Sequence, residues 1–313
     1  MLKYKADRRT LGIVATYFII AITSWFMFDK VNYWLIGILM ALNAVFAFFS
    51  AVIVHNTIHA PIFKSKRLNS IFQIILSLTY GHPVSAFEPG HNHSHHRSLS
   101  TPKDVMRPSK ARFKLNFFNH LFFFFLVANT ITKSEIAFVK KMYKEERNWF
   151  FQYLKEFIVV FGIKIILLII DPVKAILLII IPHFYAVWGI VSTNFWQHDG
   201  CDTSHPYNHS RNFKSKLLNF WTCNNGYHGM HHMNPGLHWS LLPAAHKEHL
   251  EPHLHPNLNL DSLFKHLWKA TIYPGKRLDY LGNAVVFEKP IVPDEDWIED
   301  IVIDKGKVSF SSR

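Results

Sequence analysis

The sequence predicts an all-α integral membrane protein, with four transmembrane helices, additional interfacial helices and a histidine-rich helical cap in the cytosol. Three observations carry that expectation. The 313 residues are 49% hydrophobic and 15% aromatic, high for a chain that lives in water, yet 18% are charged, so spans must share the chain with a polar body. The apolar residues gather in runs of bilayer length. All but His183 of the 21 histidines lie outside those runs.

The elements follow in order. A basic start, Lys3, Lys5, Arg8 and Arg9, leads into an apolar run from about Leu11 to Phe28. At about 1.5 Å per residue this run is long enough to cross hydrocarbon. It has no small-residue cleavage site and another apolar run follows closely, so it reads as a retained span and not as a signal peptide. After the loop Asp29–Asn32, Tyr33 to Val54 is the second span, with Tyr33 and Trp34 at the level of an aromatic belt. It returns the chain to its starting side and delivers His55 there. From Pro61 onward the sequence is basic and broken, holding roughly fifteen Lys and Arg as far as Lys155, the mark of a cytosolic segment. Ile71–Tyr80 and Phe117–Val127, inside it, are short for spans and read as interfacial or re-entrant helices.

A third span is expected from Trp149 to Ile170 in spite of Lys155, Glu156 and Lys164, with Lys164 snorkelling or facing a neighbouring helix. The turn Asp171-Pro172 leads to a fourth, Val173 to Gln197, in which Pro182 and Gly189 permit a kink. An even number of crossings returns the chain to the cytosol, so both termini and the histidine clusters are expected there. The organisation is then one membrane domain, 1–273, with spans at about 11–28, 33–54, 149–170 and 173–197 and a cap made of 55–148 and 198–273. A cytosolic tail, 274–313, packed on the body or partly disordered, completes it. No internal repeat or low-complexity linker interrupts this plan.

The formal charge of +12 raises nucleic acid as a partner, but neither zinc-finger spacing nor an aromatic RNA-binding signature accompanies it, so no nucleic acid is expected. Membrane lipids are. Cys201 and Cys223, on the cytosolic side, read as plain thiols.

The histidines form ordered clusters. His55-Asn-Thr-Ile-His59 has i, i+4 spacing, which puts both imidazoles on one helical face, about 6 Å apart at Cβ. In Gly90-His91-Asn92-His93-Ser94-His95-His96, His91 and His95 share a helical face and His96 lies about 100° around from His95, within reach of an adjacent metal. A solvated, loosely metal-binding loop is the alternative there. His228-Gly-Met-His231-His232 brings three imidazoles to one side of a helix. Histidine without cysteine points away from structural zinc, and nitrogen-rich sites with open positions suit iron that must bind oxygen. The H-E-x-x-H pattern of zinc proteases does not occur. A membrane metal transporter is the competing class. It should place ionisable ligands inside its spans, yet these contain chiefly Lys164 and His183.

The order H-x3-H, H-x3-H-H, H-x2-H-H, with spans between the second and third, resembles the integral-membrane fatty acid desaturase and hydroxylase superfamily, histidine-box di-iron enzymes. The resemblance covers roughly Leu11 to His255. Asn194-Phe-Trp-Gln-His198 is similar to an Asn-x3-His element of acyl-CoA desaturases. The resemblance implies a ligand set of His55, His59, His91, His95, His96, His198, His228, His231 and His232, with Asn194 acting through a water; His93 could stand in for His91. Many desaturases have H-x2-H-H as the second box, and the longer spacing here resembles some membrane hydroxylases. Glu88, Asp104, Asp199 and Asp202 are near enough in sequence to accept the imidazoles' other N–H, and Arg211 could anchor one of these acids or a substrate carboxylate.

By the same resemblance the cofactors are two Fe ions, with O2 as co-substrate. A saturated methylene has no acidic proton and no leaving group, so the metals must carry its oxidation. The expected reaction is desaturation of a fatty acyl chain held as free acid, thioester or lipid. Hydroxylation, or oxidative decarboxylation to a terminal alkene, is the alternative. No electron-carrier segment is visible, so a separate donor such as ferredoxin or cytochrome b5 is expected to dock on the basic cytosolic face.

Overall fold

The structure, a computed structural model, describes residues 1–286. In chain order its principal helices are α1 (Asp7–Met27), α2 (Tyr33–His59), α3 (Lys66–Tyr80), α4 (Asn116–Glu145), α5 (Arg147–Ile170), α6 (Pro172–His198), α7 (Lys216–Trp221) and α8 (His228–Met233). Among the described residues the only sheet is a parallel pair of two-residue strands, β1 (Asn212–Phe213) and β2 (Asn259–Leu260). The protein is thus helical throughout, as its sequence predicts. Its described residues divide into two compact units, one of Met1–Glu88 with Lys141–Ile190, the other of Pro89–Lys140 with 191–286.

Among the described residues, four helices are long and apolar enough to cross a membrane: Asp7–Lys30, Tyr33–His59, Asn116–Glu145 and Pro172–His198. On α1, Ile19, Ile22 and Phe26 are exposed, and Tyr33 and Trp34 at the start of α2 are more so. Lipid tails are as apolar as these side chains, so such a surface is at home in a bilayer. Asn32 caps α2 by accepting from Leu35 N at 3.0 Å, and Asn43 Nδ2 donates to Ser24 Oγ at 3.1 Å, a polar tie between the first two helices.

The third crossing differs from the expected one. Phe117–Val127 is not a short helix; it opens the 30-residue α4, because no Gly or Pro lies between Asn116 and Glu145 to stop the polar stretch from Asn129 to Glu135 continuing the turn. Arg147–Ile170 is a continuous helix of 24 residues, but with Lys155, Glu156 and Lys164 it is not one of the four. Two of those charges have partners inside the first unit. Glu156 accepts from Ser85 N at 2.8 Å, Ser85 Oγ at 3.1 Å and Gln152 Nε2 at 2.8 Å, and Lys164 Nζ donates to the Gly81 carbonyl at 2.7 Å. Lys164 therefore faces a neighbouring helix end. Ile71–Tyr80 belongs to the 15-residue α3, which ends on Gly81 at φ +83°. A side chain there would strain the backbone and collide with the His183 ring, which lies 2.2 Å from the position of a Cβ.

The second unit has its own core, in which Phe123, Phe138, Phe195, Phe213, Leu250 and Leu258 are fully buried. Pairing of β1 with β2 sets Asn212 beside Asn259 and holds the chain on which α8 rests. The expected tail is described from Pro274 to Val286, and Arg277 ties it to Asp199. The rest of it, 287–313, lies outside the described residues.

Candidate metal centre

The His55 and His59 rings stand 5.8 Å apart at the C-terminal end of α2, with donor nitrogens within 4.8 Å of one another. The i, i+4 spacing delivers this pair directly, because α2 continues unbroken through His59.

The second cluster is arranged differently from an α-helix. Pro89–His95 is π-helical, followed by a short α-helical turn from His96. The wider π turn brings residues five apart onto one face, so His91 pairs with His96, their Nε2 atoms 3.1 Å apart, and His95 is freed to turn elsewhere. His96 Nε2 is also 3.1 Å from His231 Nε2. His91, His96 and His231 thus offer three nitrogens to one point. His93 stacks on Phe138 at 5.1 Å and is in neither group.

His95, His198, His228 and His232 form the other group. Their Nε2 atoms are separated by 3.2 Å for His95 and His198, 2.8 Å for His198 and His228, and 3.0 Å for His228 and His232. The two groups adjoin, since the His96 and His232 rings stack 4.2 Å apart. On α8 the i, i+3 and i+4 relations act as the sequence predicts, one helix supplying His231 to one group and His228 and His232 to the other. Gly229 makes this possible: a Cβ there would lie 2.7 Å from Leu250, and its N–H donates to Asn212 Oδ1 at 2.9 Å.

The hydrogen bonds behind the rings fix what the nitrogens can do. A carbonyl oxygen only accepts, so His198 Nδ1 carries the proton it donates to the His209 carbonyl at 3.0 Å, and its Nε2 is bare. His95 Nδ1 likewise donates to Asp104 Oδ2 at 3.0 Å, both side chains fully buried. With both rings neutral, two lone pairs face each other across 3.2 Å, an arrangement that repels until a cation is shared by them. Burial, reinforced by the neighbouring imidazoles, pushes His232 well below the ordinary imidazole range, which keeps it in the neutral, ligating form. The donor set fits a resident metal such as iron: imidazole nitrogen only, with no thiolate and no carboxylate in either group.

Of the acids expected behind the ligands, Asp104 accepts from the His95 imidazole, and also from Ser100 N and Met106 N, each at 2.9 Å. Glu88 accepts from the Trp149 indole at 2.6 Å. Asp202 accepts from Ser204 N at 3.0 Å in an exposed turn. Asp199 is bound by Arg277, whose Nε lies 2.9 Å and 3.0 Å from its two oxygens. Arg211 hydrogen-bonds no acid among the described residues; its Nη1 donates to the carbonyls of Trp196 at 3.0 Å and Asp199 at 2.9 Å, fastening the end of α6 that presents His198. Asn194 Nδ2 donates to the Met106 carbonyl at 3.1 Å. Sequence reasoning missed Arg277 and Asn212. Asn212 sits beside Arg211 in a polar run that could have flagged it; Arg277 had no local signal. Cys201 and Cys223 are not joined in a disulfide, and burial pushes the Cys201 thiol up to about 11.

Four helices long and apolar enough to cross a membrane, with histidines converging from three sequence segments into adjoining nitrogen-only groups that could hold metal ions, define the class as a histidine-cluster membrane protein. The family model described as fatty acid desaturase matches residues 32–260, most of the chain. The protein belongs to the fatty acid desaturase family, whose members are oxidoreductases of fatty acyl chains. A search of curated proteins finds no match.

Proposed function

We propose that the protein is a di-iron desaturase that inserts a C–C double bond into a fatty acyl chain at the expense of O2 and two external electrons. The observation that carries this reading is the pair of bare, tautomer-fixed Nε2 atoms of His95 and His198, beside the nitrogens of His91, His96 and His231. His55 and His59 complete the set in this proposal, bringing one iron five imidazoles and the other four. Iron bound there would supply the oxygen activation and hydrogen abstraction that side-chain acids and bases cannot. The protein's own part is positional. Asp104 and the His209 carbonyl hold Nδ1 protons so that the ring nitrogens facing the metal stay unprotonated, and Arg211 and Arg277 hold the end of α6 in place.

In the same proposal the termini and the metal centre lie on the cytosolic side, the acyl chain enters from the bilayer, and an acidic carrier of the ferredoxin or cytochrome b5 kind docks on the basic surface. The H-x3-H-H spacing of the second box favours hydroxylation as the second reading.

Expression in a host with suitable electron carriers, followed by mass spectrometry of fatty acids, hydroxy acids and headspace volatiles, tests the reading. A new unsaturated acid is expected, and a hydroxy acid or terminal alkene would transfer the assignment to the corresponding oxidation. His228→Ala, His231→Ala and His232→Ala should each lose iron and product together. Full oxygen-dependent turnover in those variants would refute the metal assignment.

A further inference from the structure

The last helical segment among the described residues turns large apolar side chains outward. It is α-helical over Leu263–Leu267 and π-helical over Trp268–Ile272, and Ser262 caps it by accepting from Lys265 N at 3.2 Å. Phe264 is 76% exposed, Trp268 and Ile272 are 52% exposed, and Tyr273, which follows, is 77% exposed. A step of four residues overshoots one α turn and falls short of one π turn. The change of helix type at Trp268 therefore keeps Phe264, Trp268 and Ile272 in one line. The other face is used for packing: His266, Leu267 and Ala270 are half-buried, and the His266 ring lies 5.7 Å from that of Phe213 on β1. A helix on a protein surface in water has the reverse arrangement, with its polar residues outward.

Two observations indicate what covers this stripe. One is its position within the second unit. Asn116, the first residue of α4, donates from Nδ2 to the Ala270 carbonyl at 2.8 Å, which ties the segment to the end of a helix long and apolar enough to cross a membrane. The end of a crossing helix lies at the level of the lipid head groups, and so does a segment bonded to it. Leu115, Phe117 and Phe118, on either side of Asn116, are exposed as well, so both partners of that bond carry apolar side chains on the outside.

The other is charge. No Asp or Glu occurs from Ser262 to Lys276, whereas Lys265, Lys269 and Lys276 do, and all three are exposed. Asp261, just before the segment, faces Lys214 at 3.9 Å. Lys265 and Lys269 each directly follow a residue of the stripe, so long aliphatic stems ending in ammonium groups flank it. Aromatic and aliphatic side chains interleaved with lysine, Trp and Tyr among them, are the composition of helices that lie in a bilayer interface. Lysines at that level are attracted by anionic lipid.

We propose that Phe264–Tyr273 lies in the head-group layer of the bilayer, with Phe264, Trp268, Ile272 and Tyr273 among the acyl chains and Lys265 and Lys269 on anionic lipid phosphate. It is a membrane attachment additional to the crossing helices. The attachment requires α4 to cross the membrane and is independent of the oxidation performed at the metal groups.

Spin labels read the depth directly. Phe264→Cys, Trp268→Cys and Ile272→Cys, all at exposed positions, and Glu248→Cys, an exposed control in the same unit, are labelled in the full chain. Each is reconstituted into vesicles of equimolar phosphatidylcholine and phosphatidylglycerol, with the labelled wild type supplying the background from Cys201 and Cys223. Oxygen concentrates in hydrocarbon and a nickel chelate stays in water, so the ratio of a label's collision rates with the two rises with depth. That ratio should be several-fold higher at the three stripe positions than at the control. Lys265→Gln with Lys269→Gln should lower it in these vesicles and leave it unchanged in phosphatidylcholine alone. Ratios equal to that of the control would put the stripe in water and overturn the proposal. Labels shielded from both reagents would overturn it too, because the cover would then be protein: a second copy of the chain, its own residues 287–313 or an electron carrier.

Discussion

Replacing Asp104 by Asn isolates the link between hydrogen bonding and metal binding. The carboxylate accepts three N–H groups: Oδ2 takes His95 Nδ1 at 3.0 Å and Ser100 N at 2.9 Å, and Oδ1 takes Met106 N at 2.9 Å. An amide has the same shape but one acceptor. If its oxygen faces His95, its NH2 opposes the Met106 N–H; if its NH2 faces His95, the imidazole must shift its proton to Nε2 and can no longer ligate. Either outcome loses a buried hydrogen bond to a charged group, about 1.5–3 kcal/mol, equivalent to roughly 10- to 100-fold in iron affinity. Iron retained after dialysis against graded chelator, measured by elemental analysis beside the thermal midpoint of the same samples, separates the two effects. Iron affinity should fall by that factor with a midpoint drop of only a few degrees. A variant that holds iron as tightly as the wild type would refute the idea that Asp104 sets the His95 tautomer.

Three further outcomes are expected. Arg277→Ala leaves Asp199 buried without its counter-ion; with each side chain about nine-tenths buried the loss should be about 3 kcal/mol by denaturant unfolding, partly recovered in the double variant with Asp199→Ala. Gly81→Ala forces a side chain into a left-handed conformation and against the His183 ring, and should cost about 2–4 kcal/mol, read as a lowered thermal midpoint, whereas Gly12→Ala, where a Cβ meets nothing within 4 Å, should be silent or slightly stabilising. Burial holds His209 down at about 4, against 6.5 for a free imidazole. The unfolded chain therefore binds the extra proton first, and stability present above about pH 6.5 is lost as pH falls toward 4, by up to about 3 kcal/mol. Thermal midpoints of iron-free protein between pH 7 and 5 should fall less steeply in His209→Asn than in the wild type; parallel slopes would refute the linkage.

Much of the centre was legible because its spacing is local. His55 with His59, and His228 with His231 and His232, lie on real α-helical turns, so counting residues gave their geometry. Counting failed on Pro89–His96, where the turn is π-helical: an α-helical reading groups His91 with His95, while the chain groups His91 with His96 and sends His95 to His198. It failed also on α4, where a polar stretch in a run free of Gly and Pro looked like an end and was not.

The residue order by itself determined the helical membrane class, three of the four candidate crossings to within about five residues, the three histidine segments and the absence of cysteine from them. Hydrophobic length and i, i+4 spacing are properties of contiguous chain, and need no partner to be expressed. Only the tertiary structure decided that Asp104 supports the His95 imidazole, that Arg277 reaches back to Asp199, and that Asn116, His120 and Trp196 meet around one cavity. Those choices join residues as far as 80 positions apart, as for Asn116 and Trp196, and several acids of similar sequence proximity competed for the place behind His95. Folding settles such competition through burial and direction, which no local pattern encodes.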